Sequence, residues 1–449
     1  MPACYNMGKY TGNVNNPVER VKSMKAYAQR TKEELLEELG HVEKEYQALK
    51  ELGLNLNIAR GKPGSEQLDL VRPMMDVLNT ESDYICDGID VRNYGNLEGL
   101  PACRKLFAEL LGVKPENVLV GGNASLLLMY QVINAAYIHG LRANAWCKCE
   151  KVRWLCPAPG YDRHFKITES FGFELVTVPM TPEGPEMDLV EELIKDPAVK
   201  GMWCVPKYSN PDGVIYSDDT IRRIAAMKPA AEDFLLMWDN AYCVHEFAVS
   251  YQPFPSILAE CEKKGNGDMV FEFASTSKIT FPGAGVSCFA CSEENLRRMI
   301  KELTVQIISY DKVNQLRHVR YLKDKEGVLS LMRQHAQVLA PKFFCVLETL
   351  EREIAPLGIA QWEKPVGGYF ISVNVLPGTA METWELCRDA GLTLTKAGAS
   401  FPYGKDPQDS NIRVAPSLPP VEQLEQAMQI FCCSMKLAAL RKLVCSFES

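Results

Sequence analysis

A lysine that follows two hydroxyls at the end of an apolar run is a candidate covalent anchor. In Phe273-Ala274-Ser275-Thr276-Ser277-Lys278, just ahead of Pro282-Gly283, the amine of Lys278 can condense with a carbonyl while Ser275 and Ser277 hold an anion. Taken alone the pattern is weak, because Ser-x-Ser-Lys arises by chance. Other apolar runs end the same way, in residues able to do chemistry. The run at 234–238 is followed by Asp239 and Tyr242, and the run at 201–205 by a turn that presents Asn210. After Cys156 come Tyr161 and His164. After Val120 come Gly121-Gly122-Asn123-Ala124-Ser125, opening an apolar helix whose first N–H groups are free to meet a phosphate.

These groups make one coherent set. A carboxylate leaving a buried strand needs a positive partner, and Asp239 has a phenol three residues on that can face the same cavity. Pyridoxal phosphate requires a lysine for its Schiff base and a carboxylate that keeps the pyridine nitrogen protonated, so that the ring accepts electrons. It also uses a phenol and an amide on the ring hydroxyl. Lys278, Asp239, Tyr242 and Asn210 match those needs.

The elements that must position them can be read from periodicity. From about residue 98, apolar runs of four to eight residues alternate with polar turns and amphipathic helices, which predicts an α/β fold with a mostly parallel sheet covered on both faces. Ligands of such sheets bind at the carboxyl ends of the strands. Upstream, Thr31-Lys32-Glu33-Glu34 is a capping box opening a helix that ends near Gly53. Beyond residue 292 the chain turns helical to about 355. Strands are then expected at 367–373 and 392–394, a helix at 379–390 with Thr379 and Glu382 at capping-box spacing, and a closing helix at 421–443. The expected organisation is an N-terminal arm (1–30), a smaller α+β domain built from 31–75 and 321–449, and a large domain spanning 76–320.

Composition limits the partners. At 449 residues, 47% hydrophobic and 24% charged, the chain reads as an ordinary globular protein of two domains. A net charge of -8 without any basic run argues against nucleic acid. No window approaches the roughly 20 apolar residues of a membrane span, and the N-terminus lacks a signal-peptide pattern, so a cytoplasmic location is expected. The sixteen cysteines lie scattered in apolar segments and read as reduced thiols. Cys288-Phe289-Ala290-Cys291 has no second pair at zinc spacing, and no metal is expected.

Across nearly its whole length the chain resembles the fold type I, class I aminotransferases of the aspartate aminotransferase superfamily. The ordered series carries the resemblance: Tyr94-x-x-x-x-Gly99, Gly122-Asn123-Ala124-Ser125, Pro159-Gly160-Tyr161, Asn210-Pro211-x-Gly213, Asp239-x-x-Tyr242, Ser275-x-Ser277-Lys278 and Arg413. It implies a large domain with a seven-stranded type of sheet. It makes Lys278 the Schiff-base lysine and proton shuttle, Asp239 the partner of the pyridinium nitrogen, and His164 the support of Asp239. Tyr242 and Asn210 would bind the ring oxygen, and Tyr161 would stack on the ring. Asn123, Ala124, Ser125, Ser275 and Ser277 would surround the phosphate. Tyr94 would reach the phosphate of a neighbouring subunit, which implies a homodimer with shared active sites. Arg413 would grip the substrate α-carboxylate in a bidentate fork.

The segment with Gly61 corresponds to the glycine loop that closes over substrate in this family. Ala59-Arg60-Gly61-Lys62-Pro63 and Ser275-Thr276-Ser277-Lys278-Ile279-Thr280 resemble an aspartate aminotransferase subgroup. That resemblance implies a dicarboxylic donor, aspartate, with 2-oxoglutarate as acceptor, and Arg60 as the side-chain carboxylate ligand. In one respect the chain departs from the family. Where an arginine normally follows the lysine to neutralise the phosphate, it reads Pro282-Gly283-Ala284-Gly285-Val286.

Blander readings exist for each residue: a helix cap for Asp239, packing for Tyr161 and His164, a surface position for Tyr94, a structural ion pair for Arg413. His245, His318 and His335 fit no site in the sequence and read as surface or core histidines. Two other functions share the scaffold. One is β-elimination or decarboxylation with the same cofactor, and the other is a non-catalytic ligand sensor, which the intact Lys278 disfavours.

Overall fold

The computed structural model describes residues 25–447, so most of the arm expected over 1–30 lies outside the described residues. Its central feature is an eight-stranded sheet. In chain order the strands are β1 (Val118–Val120), β2 (Arg153–Ala158), β3 (Glu174–Thr181), β4 (Gly184–Pro185), β5 (Val199–Cys204), β6 (Leu235–Asp239), β7 (Val270–Ser275) and β8 (Ser287–Cys291). In space they run β1-β8-β7-β6-β5-β2-β3-β4. Strands β7, β6, β5, β2 and β3 are parallel, whereas β8 lies antiparallel between β1 and β7. The eighth strand is the two-residue edge piece β4, antiparallel to β3 and too short to announce itself by periodicity.

Burial on both faces explains why the central strands read as continuous apolar runs. In β6, Leu235 and Met237 enter one hydrophobic core while Leu236 and Trp238 enter another on the opposite face. Each face must therefore be apolar, and alternation disappears. Cys288 and Cys291 are simply part of this buried β8.

A second unit is assembled from both ends of the described chain. Leu35, Val42 and Tyr46 of the helix Lys32–Glu51 share a core with Val346 and Leu350 of Lys325–Glu353 and with Leu424 and Phe431 of Val421–Cys445. These helices pack with an antiparallel three-stranded sheet of Ala360–Trp362, Ile371–Val375 and Asn411–Val414. Leu56–Asn57 pairs in parallel with Leu392–Thr393.

Local chemistry decided two details. The capping box at Thr31 forms in both directions: Glu34 N–H donates to Thr31 Oγ1 and Thr31 N–H to Glu34 Oε2. The expected box at Thr379 does not form. Its hydroxyl instead donates to Leu376 O at 2.6 Å, and Asp409 accepts the N–H of Met381. The strand expected from 367 starts only at Ile371; Gly367 instead forms an isolated antiparallel bridge with Glu246, and Gly368 N–H donates to His245 O at 2.9 Å. No described helix is long and apolar enough to cross a membrane.

Candidate active site

A cavity of 740 Å³ opens at the carboxyl ends of the central strands, with the second unit as its other wall. Lys278 stands on its floor. The backbone pairing of Ser275 with Ser287 closes the base of the lysine's loop, and Thr276 N–H donates to Val286 O at 2.8 Å. The Lys278 Nζ lies 5.0 Å from the centre of the Tyr242 ring and 5.8 Å from that of Tyr369. Removal from water holds its pKa below the ordinary lysine value, and the charge of Asp239 opposes that shift. An amine poised this way loses its proton more readily and becomes a nucleophile.

Asp239 ends β6 and is 5% exposed. Its Oδ2 is 2.9 Å from His164 Nε2, while its Oδ1 is buried with no hydrogen-bond partner. His164 is in turn fixed by stacking on Trp203, centroids 4.4 Å apart at 12°. Tyr161 precedes the helix Asp162–Ser170 as its N-cap residue and meets His164 edge-on. Burial first, and the Asp239 charge second, push the Tyr161 phenol up to about 12. Tyr242 is likewise pushed well above the ordinary tyrosine value by burial and by Tyr161 and Asp239, so at neutral pH both phenols keep their protons.

Arg413 lies in the strand Asn411–Val414 and points across the cavity wall. Its Nη1 donates to Asp162 Oδ1 at 2.9 Å and to Asn210 Oδ1 at 3.2 Å, and its Nη2 to Thr395 Oγ1 at 3.1 Å. Phe370 covers the guanidinium at 4.9 Å. Asp162, Thr395 and Phe370 were not identifiable beforehand. An acid in a first helical turn is common at any helix start, and the other two belong to no motif.

Ser275, Ser277 and Asn123 form a polar cluster. Ser275 Oγ lies 3.1 Å from Ser277 Oγ, Ser277 Oγ donates to Asn123 O at 3.4 Å, and Asn123 Nδ2 donates to Gly283 O at 3.4 Å. Beside it Ala124 and Ser125 begin the helix Ser125–Ile138, whose start has no side-chain cap. No cation takes part in these bonds. The segment where an arginine was missed is held by Asn314, whose Nδ2 donates to Ala284 O and Gly285 O at 3.0 Å.

Gly61 is pinned beneath Phe370, since a Cβ there would come 2.7 Å from Phe370 Cζ. Arg60 lines the cavity but is exposed. Tyr94 is 78% exposed and does not line this chain's cavity.

The three histidines without a sequence assignment all gather behind Lys278. His318 Nε2 is 3.1 Å from Thr276 Oγ1 and 2.9 Å from Thr280 Oγ1. His335 Nε2 is 3.1 Å from Ile279 O, so that nitrogen carries the proton; Nδ1 then accepts from Gln67 Nε2, which also donates to Tyr369 OH at 2.9 Å. His245 is buried, and burial and the Lys278 charge hold its pKa well below the usual value. Burial likewise holds His318 and His335 down to about 4, so all three stay neutral.

Residues 30–446 match the family model described as aspartate amino-transferase. The chain belongs to the aspartate aminotransferase family. An aspartate aminotransferase of Corynebacterium glutamicum is 48% identical over 400 residues, covering 89% of this chain and 93% of the relative. The crystal structure of an aspartate transaminase from the same species superposes with a TM-score of 0.91 at 46% identity, covering 94% of this chain and all of that one. An alpha-aminoadipate aminotransferase of Thermus thermophilus, solved with N-(5'-phosphopyridoxyl)-L-leucine, shares the fold with a TM-score of 0.71 at 21% identity, covering 87% and 93% of the two chains. The family resemblance and the fold type I architecture expected from the motifs are thus both found.

Proposed function

We propose that this member of the aspartate aminotransferase family binds pyridoxal 5'-phosphate and moves the amino group of L-aspartate to 2-oxoglutarate. The carrying observation is the divided carboxylate of Asp239. One oxygen is held by His164; the other is buried and unpartnered, in a residue that lines the same cavity as Lys278. A buried carboxylate oxygen without a partner is costly unless a ligand supplies a proton donor, and a pyridinium N–H is such a donor.

The residues fit the rest of the group. Ser275, Ser277, Asn123 and the uncapped helix start at Ala124 and Ser125 would hold the phosphate, with hydroxyls and backbone N–H groups in place of the family's arginine. Tyr161 would cover the ring, and Tyr242 and Asn210 would meet its oxygen. When bound, the cofactor supplies a carbonyl that condenses with amines and a ring that accepts electrons.

The chain's own work is positioning and proton transfer. Lys278 would hold the cofactor and would take the proton from the substrate α-carbon; burial keeps its pKa below the ordinary lysine value, which favours the neutral amine that a base requires. Arg413 binds the α-carboxylate, the Gly61 segment closes over the substrate, and Arg60 meets the second carboxylate. Exposed Tyr94 serves the phosphate of a second subunit in a homodimer. The identity to the Corynebacterium glutamicum enzyme supports aspartate as donor.

The test is a half-reaction. Protein loaded with pyridoxal phosphate and mixed with L-aspartate, without acceptor, should release one equivalent of oxaloacetate, and 2-oxoglutarate should then yield glutamate. Alanine and carbon dioxide as the products would instead select decarboxylation. Lys278→Ala should give no covalent adduct on borohydride reduction, read by mass.

A further inference from the structure

Arg413 meets the cavity with a counter-ion already in place. Its guanidinium, 6% exposed, donates from Nη1 to Asp162 Oδ1 and Asn210 Oδ1 and from Nη2 to Thr395 Oγ1. A guanidinium carries five N–H groups, so these three bonds leave Nε–H and one N–H of Nη2. Nε is buried and has no partner. Nε and Nη2 share one edge of the planar group, and that edge matches a carboxylate in two parallel bonds.

We propose that Asp162 is a fixed counter-ion of Arg413 that sets the site's affinity for carboxylates, remaining on Nη1 while the substrate α-carboxylate takes the Nε–Nη2 edge. This rests on the reading of Arg413 as the α-carboxylate ligand. Two features keep Asp162 in place. It is the first residue of the nine-residue helix Asp162–Ser170, where the helix dipole favours negative charge. Its Oδ1 bonds a guanidinium whose orientation Asn210 and Thr395 also fix, under the Phe370 ring.

The consequence is a positioned but partly neutralised cation. A carboxylate arriving on the free edge shares Arg413 with a second negative charge a few ångströms away, which weakens its hold. Substrate is still oriented by two bonds, and product leaves more readily than it would from an unpaired buried arginine. Asp162 is therefore a positioning residue that tunes affinity, not one that touches the reacting atoms.

Succinate, a dicarboxylate with no amino group, tests this by calorimetric titration of the cofactor-loaded protein. Asp162→Asn should lower the succinate Kd about three- to tenfold at low ionic strength, and the gain should shrink in salt. Asp162→Glu, which keeps the charge, should stay near wild type. The KM for L-aspartate should fall in Asp162→Asn without a matching rise in kcat. If the amide disturbs the helix start, Asp162→Ala provides the same comparison. A succinate Kd that is unchanged or raised on removal of the charge, while Arg413→Lys weakens succinate, overturns the counter-ion role alone. Unaltered succinate binding in Arg413→Lys overturns the underlying reading of Arg413 and the inference with it.

Discussion

Asp239 shows how one side chain is prepared for two tasks. The contact of Oδ2 with His164, itself stacked on Trp203, fixes the carboxylate plane and leaves Oδ1 without a partner in a residue that lines the cavity. Replacing Asp239 by Asn preserves the shape and a hydrogen bond to His164 but removes the charge. Asp239→Asn should therefore retain bound cofactor yet slow the single-turnover reaction with L-aspartate by about 10²-fold or more, followed by rapid-mixing absorbance. A rate within a few-fold of wild type would assign Asp239 a packing role. The type and spacing of Asp239, Tyr242 and Lys278 were legible in the sequence because each lies at, or within three residues of, the end of an apolar strand. Asp162 was not, because its importance comes from Arg413, 251 residues away.

Strands β6 and β7 carry a second acid that the motifs did not flag. Glu272 is paired in register with Trp238, is 1% exposed, and accepts one hydrogen bond, from Asn240 Nδ2 at 2.9 Å. Burial pushes its carboxyl up to about 8, against 4.5 for an ordinary glutamate. The folded state therefore binds a proton that the unfolded state has lost between those values. Stability from this group is complete below about 4.5 and is lost as pH rises toward about 8. Glu272→Gln, always neutral, removes this contribution to the pH dependence. Relative to wild type it should gain stability steadily from pH 5 to pH 8 in urea unfolding, and a constant difference would contradict the buried neutral acid. The histidines teach the same lesson about elements. His318 comes from the helix Lys312–Leu322 and His335 from Lys325–Glu353, and only packing brings both onto the turn that carries Lys278.

The cavity exists because two separately built units face each other across it. Lys278, Asp239 and the serines come from the eight-stranded sheet, whereas Arg413, Phe370 and Thr395 come from the unit made of both chain ends. Tyr94 extends the argument to a second copy, since it is exposed and belongs to no wall of its own chain's cavity. If sites are shared, a dimer mixing a Lys278→Ala subunit with a Tyr94→Ala subunit contains one site with both residues intact. Mixed dimers should then recover up to about half of the per-dimer activity of wild type, measured after refolding the two variants together. Recovery no greater than the sum of the two parents would place Tyr94 outside the neighbouring site.

The sequence by itself determined the alternation of strands and helices, the strand ends that bear the candidate site residues, and the family. Each of these rests on local patterns: apolar periodicity, turn residues, and short motifs in a set order. The tertiary structure alone decided the rest. The neutral histidine layer, the covering of Gly61 by Phe370 and the pairing of Arg413 with Asp162 all depend on residues far apart in the chain. Their energies arise from burial and from charges brought within a few ångströms, and no local pattern encodes those distances.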